Sequence, residues 1–506
     1  MKHLADKHVL VLGLGSSGLA LARWCVRCGA QVTVVDTRAA PPQLAALRAD
    51  VPSARFLQSQ MNAALLDEAQ FSAVLSSPGL SPASIAAISA AALVRGLAMG
   101  NELGLFAQAL AELKDSAAYE PRVIGITGTN GKTTVTSLAG LLVQRAGKSV
   151  AVAGNIGPTL LDTLAEKIDT GLPDVWVLEL SSFQLDGVKN FEPTAATVLN
   201  ITQDHLDWHE TFEAYTAAKN NIYGGGLLVL NRHDPLVMAA MPKTATAGST
   251  KAKPVPAAIT FGHDVPQRPG DFGIEEINGM AWLVRATPAE ETRKPKRGHS
   301  ETAHSGDELH RQRLMPVDAL RIHGLHNATN ALAALALAHA AGCAMGPMLH
   351  GLRAYRGEPH RVESVAVIDG VEYFDDSKGT NVGATVAALA GLGAQRRLVL
   401  IAGGVGKDQD FTPLAEPVAR HARAVVLIGR DASLIKDALT SGSVPLISAE
   451  TMDDAVRLAS RQARLGDAVL LSPACASFDM FDNYEHRARV FCQAVQALAC
   501  EQGVVL

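Results

Sequence analysis

Short, continuous apolar runs recur along the chain, each bounded by glycine, proline or polar clusters and separated by stretches with helical spacing. His8–Leu12, Gln31–Val35 and Ala73–Ser76 open the series, and Val123–Thr127, Ser149–Ala153, Asp174–Leu180 and Ala195–Ile201 continue it. Ser364–Ile368, Glu372–Asp375, Leu398–Ala402, Ala424–Ile428 and Ala468–Leu471 close it. Runs this short and this uniformly apolar, alternating with helices, predict mostly parallel α/β sheets buried on both faces. Asn101–Leu113 places Leu103, Phe106, Leu110 and Leu113 on one helical face. Polar breaks at Lys114–Pro121 and Arg356–His360 predict boundaries, giving domains 1–116, 117–357 and 358–506. From about 242 to 314 the pattern weakens into a polar insertion with two short expected strands, Ala257–Phe261 and Met280–Val284. The charged stretch AEETRKPKRGHSETAHSGDELHRQR within it is expected to be a mobile surface loop.

Composition narrows the class without naming a reaction. The 506 residues carry a net charge of -5 and are 48% hydrophobic, which gives no reason to expect nucleic acid or an acidic membrane as partner. The N-terminal apolar run is too short for a signal peptide, and no stretch reaches membrane-spanning length. Six scattered cysteines fit reduced thiols in a cytoplasm, and Cys25 and Cys28 lack the second pair that a zinc site would need. His299, His304 and His310 are not at zinc spacing either.

Two glycine loops carry the chemistry. The first, Gly13-Leu14-Gly15-Ser16-Ser17-Gly18, follows a strand, opens a helix and is succeeded by a strand ending in Asp36. That is the dinucleotide fingerprint, and it suggests NAD; physically it licenses only a diphosphate at a helix N-terminus. Asp36-Thr37-Arg38 sets a cation beside the acid, which suits another phosphate-bearing nucleotide equally well. The second loop, Gly125–Thr134 (GITGTNGKTT), resembles a phosphate-cradling turn, with Ile126 where a first glycine would stand. Lys132 would meet terminal phosphates and Thr133 would offer a hydroxyl to Mg²⁺. Glu179 ends a buried strand, where doubly wound sheets place ligands, and His205 follows the next one. Three polar clusters, 376–381, 403–407 and 472–478, follow strands of the last domain and predict a binding rim.

GTNGKTT, Gly154-Asn155-Ile156-Gly157, LELSSFQL, HNATNALAA, His360-Arg361, DDSKGTN and LSPACAS together resemble the Mur ligases, in order and over nearly the whole chain. LELSSFQL and SPACAS are similar to the D-glutamate-adding branch, and the D-N-P-R signature of the diaminopimelate- or lysine-adding branch is missing. The resemblance implies a Rossmann-like N-terminal domain, a central P-loop ATPase-like domain and a C-terminal Rossmann-like α/β domain. It implies an ATP-dependent amide ligase acting on UDP-N-acetylmuramoyl-L-alanine and D-glutamate, with ATP and two Mg²⁺, as a cytoplasmic monomer. Gly15, Ser17, Asp36, Thr37, Arg38, Ser77, Gly79 and Asn155 would then hold the UDP-linked substrate. Gly128, Thr129, Asn130, Gly131, Lys132, Thr133 and Thr134, with Asn327, Asn330, Arg361 and Asp376, would hold ATP. Thr133, Glu179, His205 and a carbamylated Lys219 would ligate metal; Lys132, His205 and Lys219 would be catalytic. Lys378, Thr380, Lys407, Ser477, Phe478 and Tyr484 would receive D-glutamate, Tyr484 standing where relatives have phenylalanine. Cys475, inside SPACAS, is not needed as a nucleophile. The polar insertion departs from the compact family pattern and has no function assigned.

Overall fold

The computed structural model describes residues 2–242, 257–288, 309–322, 324–394, 396–440 and 442–504. Their contacts divide the chain into two compact units. The first comprises Met1–Ile201, Trp208–Met315 and Ala331–Leu352; the second comprises Thr202–Asp207, Pro316–Asn330 and Arg353–Leu506.

The first unit contains two sheets. Strands β1 (His8–Leu12), β2 (Gln31–Asp36), β3 (Arg55–Gln58), β4 (Ala73–Ser76) and β5 (Ala98–Gly100) form a parallel sheet in the order β3-β2-β1-β4-β5. The order reverses beside β1, so the loop after β1 opens at the switch point where such sheets bind ligands. Helix α1 (Ser16–Arg27) starts from that loop, and helix α2 (Glu102–Ala117), capped by Asn101, leads to the second sheet.

The second sheet takes β6 (Arg122–Thr127), β7 (Val150–Gly154), β8 (Val175–Glu179), β9 (Ala195–Val198) and β10 (Leu227–Asn231) into a parallel block. Then come β11 (Ala258–Phe261), β12 (Phe272–Ile277), β13 (Met280–Pro288) and β14 (Leu309–Pro316), giving the order β14-β13-β12-β11-β10-β9-β6-β8-β7. Central β6 is thus flanked by β8 and β9, and helix α3 (Lys132–Arg145) rises from its C-terminal end. Helices α4 (Leu160–Thr170) and α5 (Phe212–Asn220) follow β7 and β9.

The insertion is more regular than its composition suggests. Besides the two expected strands it contributes β12, antiparallel to β13, and β14, whose residues His310–Arg313 are all exposed at the sheet edge. An edge strand needs no apolar face, so LHRQR reads as loop. The remainder of the expected mobile loop, 289–308, including His299 and His304, lies outside the described residues.

The second unit is built on β15 (Glu363–Ile368), β16 (Val371–Asp375), β17 (Leu398–Gly403), β18 (Ala422–Ile428), β19 (Leu446–Ser448) and β20 (Ala468–Leu471), ordered β15-β16-β20-β17-β18-β19. All pairs are parallel except β15 with β16. Parallel pairing puts the ends of neighbouring β16, β20 and β17 side by side, so the three expected polar clusters share one rim. Of helix α6 (Leu325–Ala340) the second unit takes the opening residues through Asn330, which carry the HNATN motif, while Ala331–Ala340 belong to the first unit; helix α7 (Tyr484–Glu501) lies near the end of the described residues. Among the described residues no helix is long and apolar enough to cross a membrane.

Candidate functional site

The first loop is a turn closed on itself. A Cβ on Gly18 would lie 2.0 Å from the Gly13 carbonyl oxygen, so only glycine lets α1 start this close to β1. Asp36, at the end of β2, accepts the Leu14 amide at 2.8 Å through Oδ2 and the Arg38 amide at 3.0 Å through Oδ1. The Arg38 guanidinium then grips both oxygens at 2.8 Å. This pairing holds the Asp36 carboxyl well below the usual carboxylate range. Ser77 is buried beside the loop, its amide donating to the Leu12 carbonyl at 2.9 Å, while Gly15 and Ser17 are half-buried and Thr37 and Gly79 are exposed. Gly15, Ser17, Asp36, Arg38, Ser77 and Gly79 therefore follow adjacent strand ends of one sheet.

The second loop follows β6 and is shaped by Gly128, whose φ of +152° and whose missing Cβ, 2.9 Å from that of Leu199, exclude a side chain. Asn200 pins the next residues: its carbonyl accepts the Thr129 amide at 2.9 Å, and its side chain exchanges bonds with Asn130 at 2.8 and 3.1 Å. Two lysines meet here. Lys132 Nζ donates to the carbonyls of Gly128 at 2.8 Å and Thr129 at 2.9 Å. Lys219, on α5 and 2% exposed, donates to the same Gly128 carbonyl at 3.0 Å and sits 4.6 Å from the centroid of the Tyr215 ring. Tyr215 in turn bonds Thr129 Oγ1 at 2.8 Å.

Glu179 ends β8 beside this loop, where Leu180 donates to the Ile126 carbonyl at 2.8 Å. It is 1% exposed; Oε1 accepts Asn155 Nδ2 at 2.8 Å, and among the described residues Oε2 has no hydrogen-bond partner. A buried carboxylate oxygen left open is a fitting ligand for a hard divalent cation. Thr133 lies in the first turn of α3, and Thr134 is buried one residue on. Sequence reasoning missed three supports of this region: Asn200, Tyr215, and His209, which bonds Ser182 at 2.9 Å and stacks on Phe183. Each acts across the fold, so no local pattern marks it.

In the second unit the rim is cross-tied. Ser472 Oγ donates to Asp376 Oδ2 at 2.7 Å, and burial pushes the Asp376 carboxyl up to about 7. His360 Nδ1 lies 2.7 Å from Asp375 Oδ2, and its carbonyl accepts the Lys378 amide at 3.2 Å. Arg361 acts electrostatically on Asp376. Lys378 Nζ sits 3.7 Å from the centroid of the Tyr484 ring, so that aromatic position joins the DDSKGTN loop. The Thr380 amide donates to the Lys378 carbonyl at 2.9 Å. Arg487, 1% exposed on α7, was not singled out from the sequence. It donates to Ser377 Oγ at 3.0 Å, the Ser377 carbonyl at 2.8 Å and the Cys475 carbonyl at 3.0 Å, joining two of the three clusters. Burial lowers its pKa to about 10 and raises the Cys475 thiol to about 12, which leaves that cysteine un-ionised at neutral pH.

Lys407 Nζ and His205 Nε2 approach Asp204 at 3.7 and 3.6 Å, and Asn381 donates to it at 3.2 Å. Asn330 Nδ2 donates to Asn327 Oδ1 at 3.3 Å, one turn apart on α6. Ser477 is buried; Phe478 is 74% exposed and lines a cleft of about 810 Å³ with Val405, Arg430, Glu450 and Asp479.

Comparison with known proteins agrees with this architecture. The profile for the Mur ligase MurD-like N-terminal domain matches residues 7–97, that for the Mur ligase middle domain residues 126–338, and that for the Mur ligase glutamate ligase domain residues 360–475. A UDP-N-acetylmuramoylalanine--D-glutamate ligase of Albidiferax ferrireducens is 62% identical over 99% of this chain and 98% of its own. Its namesakes from Polaromonas sp. and Burkholderia mallei are 54% identical over all of both chains and 57% identical over 98% of each. Among solved structures, MurF ligase from Thermotoga maritima in complex with ADP superposes with a TM-score of 0.58 at 16% identity, covering 98% of this chain and 97% of that one. UDP-N-acetylmuramate-alanine ligase MurC from the same organism gives 0.54 at 18% identity, over 97% and 100%. Those two likenesses speak to the fold; the end-to-end identity and the three profiles in order speak to descent, and the chain belongs to the Mur ligase family.

Proposed function

We propose that this chain joins D-glutamate to the L-alanine carboxylate of UDP-N-acetylmuramoyl-L-alanine, using ATP and releasing ADP and phosphate. The observation that carries the reading is the convergence of Lys132 and Lys219 on the Gly128 carbonyl, beside a buried Glu179 with one open oxygen. The names of the relatives supply the identity of the substrates.

A carboxylate does not condense with an amine at neutral pH, because hydroxide is a poor leaving group. Here a carboxylate oxygen attacks the γ-phosphorus of ATP, the bond to the bridging oxygen breaks, and ADP departs. The D-glutamate amine then attacks the acyl carbonyl carbon, loses a proton, and the C–O bond to phosphate breaks. Lys132 neutralises charge on the transferring phosphoryl group, and the loop amides fix its position. Thr133, Glu179, His205 and Lys219, the last as a carbamate, are assigned as Mg²⁺ ligands. Two such ions would supply Lewis-acid stabilisation of the phosphoryl oxygens. Asn155, bonded to Glu179, is assigned to the substrate's sugar–alanine end.

Residues 1–116 are assigned to the UDP end with Gly15, Ser17, Asp36, Thr37, Arg38, Ser77 and Gly79, and residues 117–357 to ATP with Gly128–Thr134, Asn327 and Asn330. Residues 358–506 are assigned to D-glutamate, with Lys378, Thr380, Lys407, Ser477, Phe478 and Tyr484, while Arg361 and Asp376 serve ATP. A cytoplasmic monomer is part of the same reading. The test is ADP release from UDP-N-acetylmuramoyl-L-alanine with single amino acids. Turnover with D-glutamate alone is expected; equal turnover with L-alanine, or none with D-glutamate, would refute the assignment.

A further inference from the structure

A run of side-chain contacts connects the turn after Glu179 to helix α5, which carries Lys219, and His209 stands at its centre. This buried residue ends the short helical turn Leu206–His209. Its carbonyl accepts the Thr211 amide at 2.7 Å across Glu210, whose φ of +64° turns the chain sharply. Thr211 then caps α5 by accepting the Ala214 amide at 3.1 Å. The backbone therefore fixes His209 to the head of the helix that holds Tyr215 and Lys219.

The imidazole reaches the other way. Nε2 lies 2.9 Å from the Oγ of Ser182, the first residue of the short helix Ser182–Leu185 that follows Glu179. Ser181 closes the start of that helix, accepting the Gln184 amide at 3.2 Å while its own amide donates to Gln184 Oε1 at 3.0 Å. The His209 ring stacks on Phe183 with 5.6 Å between centroids, and it meets the Tyr215 ring in a T-shape at 5.4 Å. Tyr215 extends the chain of contacts: its hydroxyl bonds Thr129 Oγ1 at 2.8 Å, and its ring centroid lies 4.6 Å from Lys219 Nζ.

Packing alone does not call for a histidine here. A phenyl ring would reproduce the stack on Phe183 and the T-shaped contact with Tyr215. It would also take the imidazole from the Ser182 hydroxyl, which is buried, and a buried polar group that loses its bond is costly. What the imidazole adds is a directional tie between two segments far apart in the chain.

We propose that His209 is a positioning residue for phosphoryl transfer. Its bond to Ser182 ties the head of α5 to the turn after Glu179, so that Glu179, Lys219 and the Thr129 side of the loop keep a fixed separation. The tie rests on the reading of Glu179 and Lys219 as metal ligands and of Gly128–Thr134 as the ATP loop. Its effect falls on rate more than on substrate capture, because small misplacements among groups that act together on the reacting atoms are expensive in the transition state.

Substitution separates the bond from the ring. His209→Phe keeps the ring and loses the bond; His209→Gln keeps a bond to Ser182 and loses the ring. The full chain is assayed for kcat, for KM with all three substrates, and for melting temperature. His209→Phe should lower kcat about ten-fold, the scale of one buried hydrogen bond, with each KM unchanged within about three-fold. His209→Gln should stay within about three-fold of the parent kcat, even where its melting temperature falls below that of His209→Phe. Ser182→Ala should match His209→Phe, and the double variant should lose no more than either alone, since both remove one bond. Should His209→Phe not fold, Ser182→Ala, which leaves the imidazole in place, carries the same expectation. An unchanged kcat in His209→Phe and Ser182→Ala, losses that follow melting temperature instead of the bond, a KM rise as large as the kcat loss, or an additive double variant would overturn the tie. The underlying reading has its own control. Full activity in both Glu179→Gln and Lys219→Ala would remove the metal ligands, whereas their inactivity beside silent His209→Phe and Ser182→Ala variants would remove only the tie.

Discussion

The two glycine loops of the first unit share a backbone plan and differ in where their charge goes. Both follow a central parallel strand and open a helix, the arrangement that turns amides toward an anion. At Gly13–Gly18 the nearby cation is already committed: Arg38 grips Asp36, and Asp36 braces the Leu14 amide. At Gly128–Thr134 two lysines share one carbonyl, and a buried carboxylate beside them keeps an oxygen open. A loop whose charges are balanced in place can hold a diphosphate without activating it. A loop headed by Lys132, with Lys219 assigned as a metal-holding carbamate and the Glu179 carboxylate beside it, is suited to moving a phosphoryl group. On the proposed reading, similar turns do different work because of side chains that lie outside them, at Asp36 and Lys219.

Removing Lys132 should give the widest separation. Lys132→Ala is expected to lower kcat about 10³-fold, as loss of a preorganised charge does, with affinity for the UDP-linked substrate unchanged within about two-fold. A coupled ADP assay with calorimetry reads both; parallel losses would mean the loops are not distinct. Lys219→Ala should cost about 10²-fold in kcat, and the intact mass of the parent protein after gentle handling should show one added CO₂. An active alanine variant would take Lys219 out of the mechanism.

Asp36→Asn addresses the other loop. It should raise KM for the UDP-linked substrate about ten-fold, the scale of a lost charge-assisted bond, while KM for ATP holds. The smallest effect concerns pH. Because Arg38 depresses the Asp36 carboxyl, its contribution to stability is present above the ordinary aspartate pKa of about 4 and fades as pH falls from there toward the depressed value. The gap in melting temperature between the parent and Asp36→Asn should therefore narrow from pH 6 to pH 3; a constant gap would mean that the pair is not formed.

The apolar runs locate most strands buried on both faces to within one to three residues, and some of them to the residue. His8–Leu12, Ala73–Ser76 and Ala468–Leu471 have the bounds that their apolar runs predict. Arg55–Gln58, Ala98–Gly100 and Leu446–Ser448 escaped because they are short and stand at or near sheet edges, where half the pattern is polar. Leu227–Asn231 was overlooked despite an apolar run of ordinary length. In the site, residues inside local motifs could be named from the sequence, since strand, loop and helix follow one another in the chain. Tyr215 and Arg487 could not. An arginine on a terminal helix reads as solvated until the fold supplies the Ser377 and Cys475 carbonyls that make its burial tolerable.

The exposed edge of the second sheet has a consequence of a different kind. Strand β14 ends a nine-stranded sheet with His310, Arg311, Gln312 and Arg313 facing solvent, and Arg311 is paired with Glu275 at 2.9 Å. An unpaired edge is a template for a second molecule, and consecutive charged side chains are a standard defence against that. The polar composition that hides this strand from sequence reading is also what disfavours pairing of a second molecule along that edge. Exchanging Arg311 and Arg313 for valine would make the strand easy to recognise and the protein prone to aggregate.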